Sequence, residues 1–190
     1  IEFAKFTSSL PVYMSNARMD SLLDEKIDES DYIAVRNRLI VLMLYSVGLR
    51  RAELVSLSDV DVDTHKCEMR VHGKRSKDRI IPFGDELARE IDNYREIRNS
   101  QTQAPRDNAF FLRPNGEPLY VNLVYRVVRR ALESSGGARK NSPHVLRHSF
   151  ASAMLNNGAD MNSVKELLGH ESLAATQVYT HITFSELKSN

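Results

Sequence analysis

A chain of 190 residues, 42% hydrophobic and 27% charged, can bury one sizeable core and has the make-up of an ordinary globular protein. Its apolar run LIVLMLYSVGL (39–49) is too short to span a bilayer, and its single cysteine, Cys67, excludes an intramolecular disulfide and fits a reducing cytoplasm. The net charge of +1 says little about a polyanionic partner, but acids crowd 20–31 while bases crowd 66–79 and 126–147, so a nearly neutral protein can present one basic face.

Residues 1–15, with a proline and several Ser, read as a linker entering the domain. NARMDSLLDEKI (16–27) reads as a helix. SDYIAVRNRLIVLMLYSV (30–47) is apolar enough for a buried helix, with Ser30 or Asp31 as its cap and Gly48 as its stop. RRAELVSL (50–57) is a short helix, after which the period changes. CEMRVHG (67–73) and RIIPF (79–83) are strands flanking the turn KRSKD, a hairpin. An amphipathic helix runs from Glu86 to about Asn99. QTQAPRDN is a loop, and AFFLRPNGEPL (109–119) has strand and turn character. VNLVYRVVRRALESS (121–135) is a helix ended by Gly136 and Gly137. SPHVLRHSFASAMLNNG (142–158) is another, capped by Ser142 with Pro143 at its first position. DMNSVKELLG restarts at Asp160, and LAATQVYTHITFSELKSN closes the chain. The expected fold is mainly α with a small antiparallel β-sheet (α+β), without an internal repeat.

The stretch 144–181 holds four of the six histidines, an arginine and a tyrosine. His144 and His148 stand four apart, the spacing of zinc ligands on a helix, but the Glu of H-E-x-x-H is missing and Arg147 would put a positive charge beside the cation. FASAMLNNGADMNSVKELLG has helix-turn-helix form, yet its second helix offers Lys165, Glu166 and two leucines rather than residues that reach base edges. Any one of these histidines alone would read as a satisfied core residue.

The combination reads differently. GLRRAEL (48–54), HGKRSKDR (72–79), HVLRH (144–148), LGH (168–170) and YTH (179–181) follow one another in that order. Together they resemble the catalytic domain of the tyrosine recombinases, the phage-integrase and Xer-type family, from about residue 10 to the end. The resemblance implies a catalytic domain over 10–190, preceded by a linker remnant at 1–9. It also implies that the family's separate N-terminal DNA-binding domain is absent from this chain, which would then bind DNA weakly and recombine poorly. Val47 and Ala175 stand where relatives often carry Thr, a difference of packing more than chemistry.

The implied activity is site-specific cleavage and rejoining of double-stranded DNA through a 3′-phosphotyrosyl bond, with no metal, cofactor or ATP. By resemblance Tyr179, nine positions beyond His170, is the nucleophile, which must lose its proton as it attacks. Arg50 and Arg147 fork onto the non-bridging oxygens, a task suited to a planar, permanently charged donor. Glu53 orients Arg50. Lys74 is the general acid for the leaving 5′ oxygen, with Lys77 as the runner-up. His144 accepts the tyrosine proton or bonds the phosphate, His170 donates to a non-bridging oxygen, and His148 has a supporting role. Arg51, Lys77, Arg126, Arg129, Arg130, Arg139 and Lys140 are candidate DNA contacts, mostly to phosphate. The resemblance further implies self-association on DNA, with a tetrameric synapse for the full-length protein, and no membrane partner. The competing readings are a type IB topoisomerase, with the same chemistry, and a DNA-binding regulator that has lost catalysis.

Overall fold

The most apolar segment of the chain becomes its central helix. In the computed structural model, which describes residues 16–73, 78–102, 108–135 and 142–169, helix α2 (Tyr32–Ser46) is buried along nearly its whole length from Val35 to Tyr45. A helix apolar all round needs neighbours on every side. It has them in α4 (Asp85–Gln101), α5 (Val121–Ser134) and α6 (Pro143–Asn156), while Met19 and Leu23 of α1 (Asn16–Leu23) join the same core. Asp31, rather than Ser30, caps α2, its carboxylate accepting from the amides of Ile33 (2.8 Å) and Ala34 (3.4 Å). Helix α1 stops at Leu23, earlier than the sequence pattern suggests, inside the acidic run 20–31.

Val47 is buried and Gly48 has φ +65°. This turn must be a glycine for a second reason: a Cβ here would stand 2.4 Å from Cδ1 of Phe150 on α6. The chain can therefore reverse into α3 (Arg51–Ser56) while α6 lies directly against the turn.

The sheet has three antiparallel strands in the order β1 (Val62–Asp63), β2 (Glu68–His72) and β3 (Asp78–Pro82). The hairpin of β2 and β3 is as expected, with Val71 opposite Arg79 and Met69 opposite Ile81. Strand β1 was not expected: two residues are too few to show a period. At the end of the hairpin where β2 turns into β3, His72 bridges two carboxylates, Nδ1 to Asp78 at 3.0 Å and Nε2 to Asp61 at 3.1 Å. These two hydrogen bonds, that of Asp78 foremost, hold the imidazole above its ordinary value.

Residues 109–119 form isolated bridges, Ser58 with Ala109 and Leu112 with Pro118, around a turn with Gly116 at φ +78°. Phe110 and Phe111 are buried there against Tyr94. The carbonyls of this segment are satisfied by buried side chains: Tyr32 donates to Leu112, and Arg98 to Phe110. Asp160 caps α7 (Met161–Leu167) through the amides of Asn162 and Ser163, as expected. Ser142 sits at the N-cap of α6 with extended backbone, but its hydroxyl makes no capping bond among the described residues. No helix among the described residues is long and apolar enough to cross a membrane.

Candidate active site

Three segments far apart in sequence meet where α3 begins. Arg50 lies just before the helix, as its N-cap, with extended backbone (φ −77°, ψ 151°) rather than inside it. The helix expected over 50–57 thus begins one residue later, at Arg51. Glu53, at the third helical position, reaches back to accept the Arg50 backbone N–H at 2.8 Å, half of a capping box. Its other oxygen accepts Nη1 of the Arg50 side chain at 2.8 Å. The supporting role expected of Glu53 thus has a geometry, and 37% of the Arg50 side chain still faces solvent.

Arg147 arrives from the second turn of α6. Its Nη1 donates to the carbonyl of Gly48 at 2.5 Å, and its Nη2 donates to the carbonyl of Leu168. One guanidinium thereby ties the α2–α3 turn to the end of α7, with N–H groups to spare. Burial, and then the neighbouring charge of Arg50, bring its acidity to about 10.

Sequence reasoning missed a third arginine. Arg79 of β3 forks onto Glu53, Nη1 to Oε1 at 2.9 Å and Nη2 to Oε2 at 3.0 Å, while its Nε donates to the carbonyl of Leu167 at 2.8 Å. The signal was present: Arg79 shares the phase of buried Ile81 on a strand whose alternate residues, Asp78 and Ile80, are exposed. A charge on the apolar phase of a strand needs a buried partner. Glu53, 6% exposed, is that partner. Burial alone would raise its carboxyl, but the hydrogen bonds from Arg79 and from the Arg50 amide outweigh it and hold the group below the usual glutamate range.

Gly169 closes this group. At φ +77°, a Cβ on it would lie 3.1 Å from Nη1 of Arg79 and 3.3 Å from Nη1 of Arg50. His144 projects from the first turn of α6, exposed. Burial of part of its ring, then the positive charges of Arg51, His148, Arg147 and Arg50, hold its imidazole below the ordinary value. His148 is exposed one turn further on. Arg50, Glu53, His144 and Arg147 are therefore brought together. Lys74, Lys77, His170, Tyr179, Arg139 and Lys140 lie outside the described residues, as do the linker at 1–15 and the closing segment.

The candidate DNA contacts differ in what already occupies them. Arg51 lies over the ring of Tyr125, 5.5 Å from its centroid. Arg126 lies over Tyr120 and donates to its hydroxyl. Arg129 pairs with Glu133 at 2.7 Å. Arg130 is exposed and has no ion-pair partner among the described residues. All three α5 arginines lie away from the buried stripe of Val124, Val128 and Leu132.

Three guanidinium groups around a single carboxylate leave an excess of positive charge, an arrangement complementary to an anion with several oxygens.

Residues 13–186 match the model of the phage integrase family. The chain is 40% identical over 169 residues to tyrosine recombinase XerC of Chlorobaculum parvum, covering 86% of this chain and 50% of that protein. It is 36% identical over 190 residues to tyrosine recombinase XerD of Oceanobacillus iheyensis, covering 99% of this chain and 63% of that protein. Among solved structures, it is similar to XerA recombinase with a TM-score of 0.75 at 31% identity, over 95% of this chain and 64% of that one. It is similar at the same TM-score and 26% identity to the XerH site-specific recombinase bound to its palindromic difH substrate in a post-cleavage complex, over 95% of this chain and 52% of that one. The chain thus spans about half to two thirds of these relatives. The helical fold with its three-stranded sheet is the tyrosine-recombinase catalytic fold, and the chain belongs to the phage integrase family.

Proposed function

We propose that this chain is the catalytic domain of a site-specific DNA recombinase, which cleaves and rejoins double-stranded DNA through a 3′-phosphotyrosyl bond. The observation that carries the reading is the convergence of Arg50 and Arg147 beside one carboxylate that Arg79 already grips with a two-pronged fork. Such a site can take the two non-bridging oxygens of a phosphodiester and stabilise the extra charge of the pentacoordinate transition state. Tyr179 is the nucleophile, and its phenolic oxygen displaces the 5′ oxygen of the next nucleotide. Lys74 supplies the proton to that leaving oxygen, and His144, held neutral near pH 7, is suited to accept the proton that Tyr179 loses. His170 donates to the phosphate. Because the phosphotyrosyl bond retains the energy of the phosphodiester, attack by a free 5′-hydroxyl reseals the strand without ATP.

The partner is DNA, and the working unit is a synapse of four full-length protomers acting in the cytoplasm. A family relative captured with its substrate after cleavage supports the DNA assignment. The test is covalent trapping on a nicked duplex that carries the recombination site, so that the cleaved strand diffuses away. A denaturation-resistant adduct that is lost in Tyr179→Phe supports the reading. A regulator that has lost catalysis gives no adduct. A topoisomerase gives the adduct but does not pair two sites.

A further inference from the structure

The Glu53 carboxylate has four acceptor positions, and all four are filled. Oε1 takes Nη1 of Arg50 and Nη1 of Arg79; Oε2 takes the backbone N–H of Arg50 and Nη2 of Arg79. A carboxylate with only one arginine would draw that arginine into a two-pronged fork. Here Arg79 occupies the fork geometry. Among the described residues the Arg50 guanidinium is therefore held by Nη1 alone, and 37% of the side chain stays exposed.

The third bond of Arg79 reaches a different element. Its Nε donates to the carbonyl of Leu167 at 2.8 Å, at the end of α7, two residues before Gly169. Gly169 in turn approaches both guanidinium groups so closely that a Cβ would crowd them. Arg79 also belongs to the strand that follows 74–77, opposite Val71 in the hairpin register. One side chain, 13% exposed, thus touches Glu53 on α3 and the end of α7 while standing on the strand that leaves the hairpin turn.

We propose that Arg79 is a positioning residue of the phosphate site: it occupies the fork of Glu53 so that Arg50 is presented to the substrate, and it fixes the α7 end against β3. This rests on the recombinase reading above. Arg79 does not itself touch the phosphate; it acts through Arg50.

The experiment compares wild type, Arg79→Gln and Arg79→Lys in single-turnover cleavage of the nicked duplex. One substrate carries the ordinary scissile phosphate, the other a neutral methylphosphonate there, which needs less charge neutralisation. Arg79→Gln is expected to lose about 10²-fold on the phosphate, the scale of a small misplacement of a reacting group. On the methylphosphonate its loss shrinks to a few-fold. Arg79→Lys keeps the charge but not the fork, and is expected to follow Arg79→Gln. Adding Glu53→Gln to Arg79→Gln gives no further loss beyond the worse single variant, because both act on Arg50.

Equal losses on the two substrates, or wild-type cleavage by Arg79→Lys, overturn the proposal while leaving the recombinase reading intact. Melting curves accompany each variant, and if neither Arg79 variant folds, Arg79 is a structural residue and the proposal fails. A wild type that forms no adduct on either substrate overturns the recombinase reading, and the role of Arg79 with it.

Discussion

The ring of Phe150 occupies the space that any side chain at position 48 would need, its Cδ1 only 2.4 Å from where a Cβ on Gly48 would stand. Gly48 also holds φ +65°, so two independent reasons exclude alanine there. The dihedral costs about 1–2 kcal/mol and the overpacking about 1–3 kcal/mol. Gly48→Ala is therefore expected to lower the unfolding free energy measured in urea by about 2–5 kcal/mol, the sum of the two. In a Phe150→Leu background it should cost only the dihedral share. Additive costs in the double variant would show that the ring is not what limits the turn.

Glu53 makes acid stability testable. Its carboxyl is held below the ordinary range in the folded chain, so its contribution is fully present above the unfolded value of about 4.3 and is lost as pH falls through the lower, folded value. Glu53→Gln removes this pH dependence. At neutral pH the substitution leaves Arg79 buried without a counter-charge and is expected to cost about 3 kcal/mol. Its stability should then change less than that of wild type on going from pH 5 to pH 3, followed by denaturant unfolding. Parallel curves would show that Glu53 carries no linked proton.

Two histidines should titrate on opposite sides of the ordinary value. His72 is raised by Asp78 and then Asp61, and its contribution to the hairpin is present below the unfolded value and lost as pH rises through the folded one. His144 is lowered by burial and by Arg51, so the unfolded chain takes its proton first and acid works against the fold at this position. Ring-proton NMR should resolve the two curves. Asp78→Asn should bring His72 down and leave His144 unmoved; a shared response would place them in one network.

The arginines of α5 should not be equivalent on DNA. Each phosphate contact adds about one to the slope of log affinity against log salt. Arg130→Ala is expected to lower that slope by about one. Arg129→Ala should lower it less, since Arg129 already pairs with Glu133. Equal slopes for the two variants would show that the Glu133 pair opens freely on binding.

Legibility in the sequence followed the range of the interactions. The hairpin, α5 and the paired helices α6 and α7 follow from period and caps, because those signals lie within a few residues. Arg50, His144 and Arg147 were found through the motif's wording, although their meeting depends on contacts such as that of Arg147 with Gly48, 99 residues earlier. Arg79 was missed because its partners lie 26 and 88 residues away, and a strand arginine read locally is only a polar residue. Strand β1 was missed for the opposite reason: it is too short to carry a pattern, and its pairing with Met69 and Glu68 is what makes it a strand.

Arg147 has a duty to the backbone besides the role proposed for it at the phosphate. By clasping the carbonyls of Gly48 and Leu168 it joins two segments far apart in the chain that no strand pairing links among the described residues. A descendant that gave up the proposed strand cleavage would still need Arg147 as a rivet. Survival of this arginine in an inactive cousin would then record architecture, and only the groups without such a second duty would report whether the chemistry persists.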